Sequence, residues 1–402
     1  MSLNRCRIIS RALLLLALVL AGSVEAAPTF SLTGVNTRTP VGWPRRPSII
    51  VIQCDSLGYL DLSCYGQQKF TTPNLDRLAT EGMMFTNYDA LGADGPTVRA
   101  ALLLGRDPGR VNTWLTPDDV LVAQLLKQAG YYTGLIGEWD FGGADSGNAP
   151  WQKGFDEFAG YFTPEDAENY YADFMWRHAP KSIYNTTNHQ FETYIGKETL
   201  IPNANGAEGK YIPDLYARAV TGFLNNYHPD QANRYRPFFL WLSYPTPRPN
   251  QAEALRTGNG LQVPTDAPFS EEAWPQPEKN KAAMITRLDA DIGHLLDDLK
   301  SQGMSNNVAV FFTSATVARK TGGVDPLFFP SVVSTNDVRL PMIAWWPQHI
   351  PAGRVSGYHW SPSDFLPTAA AIAMTGCPTN VDGTPIVSAL YGRVLTNAPA
   401  NP

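Results

Sequence analysis

The chain predicts an α/β fold in which a mostly parallel central sheet is layered between helices, and three observations point there. Continuous apolar runs rich in β-branched residues recur along the sequence, as strands buried on both faces require. Segments of helical periodicity alternate with them, which puts helices on the faces of the sheet. With 402 residues, 44% of them hydrophobic, the chain can bury the core of one large domain.

The elements follow in order. Residues 48–53 (SIIVIQ) form the first buried strand, and Cys54-Asp55-Ser56-Leu57-Gly58 lies at its C-terminal end, where ligands collect in open α/β sheets. Thr72 is placed as an N-cap with Pro73 at the first helical position, Leu75, Leu78 and Ala79 share a face, and Gly82 closes that helix. Met84-Phe85-Thr86-Asn87 starts an extended piece. A second helix is expected from Thr116, with Asp118 and Asp119 in its first turn, to Gly130, followed by a strand over 131–137. From 143 to 231 the pattern weakens into aromatic-rich loops with one clear helix near 213–226. Residues 238–243 (FFLWLS) form another buried strand. A long helix over 278–302 carries Leu288, Ile292, Leu295, Leu296 and Leu299 on one side, and 308–312 and 342–346 are the last central strands.

Arg5, Arg7 and Arg11 precede an apolar run over 12–21, and Val24-Glu25-Ala26 is a small-x-small cleavage site. Residues 1–26 are therefore expected to be a signal peptide, with a retained anchor as the alternative, since the run is short for a membrane span. Residues 27–46 read as an extended Pro-rich segment, 47–393 as the folded domain and 394–402 as a tail. The expected location is outside the cytoplasm, periplasmic or extracellular, with no stable membrane span once the signal is removed. Beyond Cys6, the chain has Cys54, Cys64 and Cys377, which allow one disulfide plus a free thiol or three buried thiols. A net charge of -6 leaves no basic stripe, which excludes nucleic acid as the expected partner. The six histidines show no metal-type clustering.

Several segments in order now resemble one family, the sulfatases of the alkaline-phosphatase superfamily. RPSIIVIQCDSLGYLDLSCYGQ resembles its first strand and metal loop, TTPNLDRLATEGMMFTNYDA its first helix, and LVAQLLKQAGYYTGLIGEWDFGG the unit that normally ends Gly-Lys-Trp-His. PFFLWLSYPTPRP, VAVFFTSATV and VRLPMIAWWPQHIPAGRV resemble the later strands. The resemblance implies an alkaline-phosphatase-like three-layer α/β/α sandwich. It also implies a C-terminal antiparallel subdomain after Val381-Asp382-Gly383-Thr384-Pro385, for which this chain has no matching segment, so that subdomain is expected to be missing.

The catalytic positions depart from the family. Arg99 to Arg106 (RAALLLGR) fit the helix that follows Cys/Ser-x-Pro-x-Arg, whose Cys or Ser becomes a formylglycine nucleophile. Here that position falls on Gly95, counted back from Arg99, or on Asp94, aligned through Pro96, and neither can be so oxidised. Thr97 is a weak alternative nucleophile, because relatives that use Thr activate it with metals. The family metal, usually calcium, needs four ligand positions, which here hold Asp55, Ser56, Ala315 and Thr316, so the metal site is vestigial and no cofactor is expected. The family's lysine and histidine are Glu138 and Asp140, its later histidine is Arg248, and a further lysine falls near Pro330.

If the fold gathers these positions, Asp55, Asp94, Glu138 and Asp140 face a cavity with Arg99 and Arg248 as its cations. An anionic ester would be repelled there, and the carboxylates would raise one another's pKa values. Plainer readings stand beside this one. Arg99 would bridge Asp94, Asp55 would be a polar strand end, and Glu138 and Asp140, two apart on extended backbone, would be solvated acids pointing the same way. The tryptophans read as core and loop packing more than as a sugar platform, although Trp139, Trp151 and Trp176 lie near the expected cleft. Two functions remain. One is an exported sulfatase homologue without catalysis, acting as a binding or scaffold protein for a small molecule, glycan or protein. The other is a hydrolase with altered chemistry in the acidic pocket.

Overall fold

The structure is a computed structural model, and it describes residues 46–90, 94–186, 190–226, 236–316 and 340–391. The signal-like residues 1–26, nearly all of the extended segment, Pro330 and the 394–402 tail lie outside the described residues. Ten strands form one sheet: β1 Ser48–Cys54, β2 Met83–Phe85, β3 Tyr132–Glu138, β4 Glu157–Tyr161, β5 Phe174–Asn185, β6 Gln190–Thr199, β7 Phe238–Ser243, β8 Val308–Ser314, β9 Met342–Trp345 and β10 Arg354–Ser356. Their order is β10-β2-β9-β8-β1-β7-β3-β4-β5-β6. The central five, β8-β1-β7-β3-β4, run parallel, and β9 and β5 flank them antiparallel.

Successive strand residues point to opposite faces, so a run apolar at every position serves two cores. On one side Ile49 and Val51 of β1 join a core with α2 (Gly95–Leu104), α3 (Val122–Gln128) and α8 (Phe365–Ile372). On the other, Ile50 and Ile52 join α1 (Pro73–Glu81), α5 (Ile212–Asn226) and α7 (Gln276–Ser301). Three shorter helices complete the set: α4 Pro164–Ala167, α6 Gln251–Thr257 and α9 Val387–Leu390. The three-layer α/β/α expectation therefore holds, with about 1.5–3 kcal/mol of hydrophobic stabilisation for each large apolar side chain buried.

Two expectations need correction. The helix expected from Thr116 begins only at Val122, because residues 116–119 close a turn in which Asp119 accepts from Thr116 N at 2.7 Å and from Arg106 Nη1 at 2.7 Å. Within the stretch read as loops, β5 and β6 form a long antiparallel ribbon that extends the sheet edge. Its residues alternate too irregularly, across a register shift between Ala179 and Ile183, for a period-2 signal to stand out. The plainer expectation for the tryptophans holds: Trp139 packs on Phe141 and Phe155 in the core, and the partly buried Trp151 and Trp176 pack on Phe162. Cys54, Cys64 and Cys377 are all free thiols, so the disulfide alternative is not realised. Among the described residues no helix is long and apolar enough to cross a membrane.

Candidate functional site

Four parallel strands end at the same edge of the sheet, and the segments leaving them carry the site. After β1 the chain peels away through Ser56, whose φ is +60°, and this turn is held by the segment after β8. Ser56 N donates to Thr316 Oγ1 at 3.0 Å, Leu57 N donates to Ser314 Oγ at 3.3 Å, and Ala315 N donates to Cys54 O at 2.8 Å. The Thr316 hydroxyl in turn donates to Asp55 Oδ1. Residues at the family's metal positions thus brace one another.

Helix α2 points its N-terminus into this edge. Asp94 caps it, its Oδ1 accepting from Thr97 N at 2.9 Å, while Pro96 has the fixed φ that suits a first turn. Asp94 is exposed and Gly95 is buried. A Cβ on Gly95 would lie 3.2 Å from Asp55 Oδ2 and 3.4 Å from Arg99 Nη2. Of the two residues that the resemblance leaves at the nucleophile position, Gly95 is the one that faces the site, and Thr97 gives its backbone N–H to the cap. Asp94 does not bridge Arg99, which corrects the plainer expectation for that pair.

Arg99 instead turns inward, with its side chain 1% exposed. Its Nη1 lies 3.3 Å from Asp55 Oδ2, and its Nη2 donates to Glu138 Oε1 at 2.9 Å and to Asp140 Oδ2. Glu138 is the last residue of β3 and fully buried. Gly137 before it has a φ of +116°, and a Cβ there would sit 1.9 Å from Ser243 O, so only glycine lets β3 and β7 close at this level. Asp140 takes a φ of +71°, which brings its carboxyl beside that of Glu138 on the Arg99 guanidinium. The expectation that both acids point the same way holds, but they are buried in an ion-pair network and not solvated.

Arg248 enters from the segment after β7. Its Nη1 donates to Asp55 Oδ2 at 2.6 Å and to Glu138 Oε1 at 2.9 Å, its Nη2 donates to Pro164 O at 3.0 Å, and its Nε lies 3.6 Å from Glu168 Oε2. Tyr170 Oη donates to Arg248 O at 2.7 Å, and Glu168 Oε1 accepts from Gln251 N at 2.9 Å. The sequence reading missed Glu168 and Tyr170 because they lie in the weakly patterned stretch. The available signal was Thr163 followed by Pro164-Glu165-Asp166, an N-cap with acids in the first turn, which forms α4 and presents Glu168 at its end.

The electrostatics follow from this packing. Burial opposes charge on Asp55, but the Arg248 and Arg99 guanidiniums and the Thr316 hydroxyl outweigh it and hold the carboxyl below its ordinary range. Burial pushes Asp140 well above that range, against the pull of Arg99 and with the help of Glu138. Burial likewise raises Glu168. For Arg99 burial is outweighed by Asp140, Glu138 and Asp55, and for Arg248 by Glu138 and Asp55, so both guanidiniums stay charged. The expectation of mutual upward shifts therefore fails for Asp55 and holds for Asp140, because the arginines divide the carboxylates unequally.

Comparison with known proteins agrees with the fold and the ordered segments. A sequence model of the family described as Sulfatase matches residues 47–375. Arylsulfatase A of Homo sapiens is 32% identical over 372 residues, covering 87% of this chain and 68% of that protein. N-acetylgalactosamine-6-sulfatase of Rattus norvegicus is 29% identical over 389 residues, covering 88% and 68%. The crystal structure of Ps i-CgsB in complex with k-i-k-neocarrahexaose matches with a TM-score of 0.65 at 26% identity, covering 87% of this chain and 77% of that one. On the extent of the family match, carried by the strands that place Asp55, Glu138 and Arg248, this chain belongs to the sulfatase family.

Proposed function

We propose that this sulfatase-family chain does not hydrolyse sulfate esters and acts, after export, as a binding or scaffold protein for a small molecule, a glycan or a protein. The observation that carries the reading is Gly95: buried, without a side chain, and facing Asp55 and Arg99 where the family would place its nucleophile. Behind it both guanidiniums are committed to carboxylates, which leaves them poorly placed to hold a sulfate or to stabilise charge developing on its oxygens.

The reading requires no metal. Calcium takes about six to eight oxygen ligands. Here Asp55 has both oxygens engaged by donors, Ala315 offers no side-chain oxygen, and the Thr316 hydroxyl is turned onto Asp55. That donor set does not fit a hard cation. A hydrolase that uses Glu138 and Asp140 as general acid and base is the weaker alternative, because Arg99 pins both carboxyls.

One experiment addresses export and catalysis together. Protein recovered from outside the cytoplasm should show an intact mass lacking residues 1–26 and carrying no oxidation at Asp94 or Gly95. It should show no turnover of aryl sulfates or phosphate esters with added calcium, manganese or zinc. Metal-dependent turnover abolished by Glu138→Gln would contradict the reading.

A further inference from the structure

The buried charges of the cluster do not cancel as simple ions. Asp55, Glu138 and Asp140 bring three carboxyl groups whose side chains are at most 4% exposed, against the guanidiniums of Arg99 and Arg248. With Glu168, buried beside Arg248, four carboxyls face two cations, which leaves an excess of negative charge away from water. Buried groups in that position give up their charge.

The hydrogen bonds identify where. Glu138 Oε1 accepts from both arginines, but the buried Glu138 Oε2 has no donor among the described residues. Asp140 Oδ2 accepts from Arg99, and the buried Asp140 Oδ1 likewise has none. Two orphaned acceptors therefore sit on two carboxyls held by the same guanidinium nitrogen, and the Glu138 carboxyl beside Asp140 pushes Asp140 further up. A proton on Asp140 turns its orphaned oxygen into a donor and removes one of the excess charges.

We propose that Asp140 retains its proton at neutral pH, a buried carboxylic acid beside Arg99 and Glu138 that lowers the excess negative charge of the cluster.

The surrounding groups are compatible with that state. Asp55 and Thr316 approach from the ends of β1 and β8, Arg99 from α2, and Arg248 from the segment after β7. Glu168 and Tyr170 approach from beyond α4, and Tyr216 from α5. The two tyrosines are buried and pushed upward, so they remain neutral. The buried Glu168 is tied to Gln251 and faces Arg248. The inference goes beyond the proposed function and does not depend on it, since ester turnover would remove that reading and leave this one standing.

A carboxyl whose pKa is higher in the folded state than in the unfolded chain contributes stability that is present at low pH and lost as the pH rises through the folded value. Raising the pH should therefore weaken the fold through Asp140, and Asp140→Asn should remove that part of the dependence. The test is infrared difference spectroscopy at about pH 8, above the value of about 7 to which burial raises Asp291. The expected result is a carboxylic acid C=O band in the wild type that is lost in Asp140→Asn, with a melting temperature equal to or above that of the wild type. In Glu138→Gln the amide supplies the hydrogen bond, so Asp140 ionises and the band is lost as well. Should Asp140→Asn fail to fold, Glu138→Gln decides alone: loss of the band supports the proposal. A spectrum in which neither variant loses an acid band would overturn it.

Discussion

Arg99 sits in a helix that matches the family in sequence, yet its chemistry is set by what surrounds it. Three carboxyls from two strand ends converge on or beside one guanidinium, and Arg248 closes the network from the opposite side. Breaking a buried ion pair by removing one partner leaves the other desolvated and unpaired, at a cost of about 3–5 kcal/mol. Arg99→Met, which keeps the packing of the stem, should destabilise the fold by about that amount. Urea unfolding monitored by tryptophan fluorescence measures it, and a change under about 1 kcal/mol would show that the network contributes little. The identities of Gly95, Glu138, Asp140 and Arg248 could be read in the sequence against the family pattern. What could not be read was the pairing. Asp94 was the partner expected for Arg99, but the helix cap claims it and the strand ends deliver Asp55, Glu138 and Asp140 instead.

At the scale of elements, the site depends on where β1, β3, β7 and α2 are held. Continuous apolar runs made the strands legible, because burial on both faces leaves no alternation to misread. Helix starts were less legible: Asp118 and Asp119 resemble first-turn acids, and only the contact between Asp119 and Arg106 shows that they belong to a turn. Glu168 was hidden for a similar reason, since a four-residue helix has too little periodicity to register. A long-range cap anchors the opposite face. Asp289 of α7 accepts from Asn74 N, Asn74 Nδ2 and Leu75 N at 3.1, 2.9 and 2.8 Å, supplying from another helix the cap that the Thr72 side chain does not give to α1. Asp289→Ala should leave these donors without an acceptor and cost about 1–3 kcal/mol. Hydrogen exchange should show the loss concentrated at the first turn of α1, and uniform loosening of the molecule would count against a local cap.

Across the whole molecule, the three-layer architecture is that of a sulfatase, while the edge where a sulfatase does its chemistry is filled by the protein's own charges. The fold survives because its determinants, the apolar strands and the two helical layers, lie away from the residues that differ. The chemistry does not follow from the fold, since it depends on a handful of side chains at strand ends. On the proposed reading both guanidiniums are held by the protein's own carboxyls, and Gly95 presents no side chain to a ligand. The most direct measurement is a crystal structure of the protein soaked in calcium and sulfate, with anomalous scattering recorded at the strand-end edge. The account predicts Arg99 and Arg248 still seated on Asp55, Glu138 and Asp140, with no cation or sulfate among them. An ordered cation on Asp55 with Arg248 displaced, or a sulfate held by Arg99 before Gly95, would contradict it.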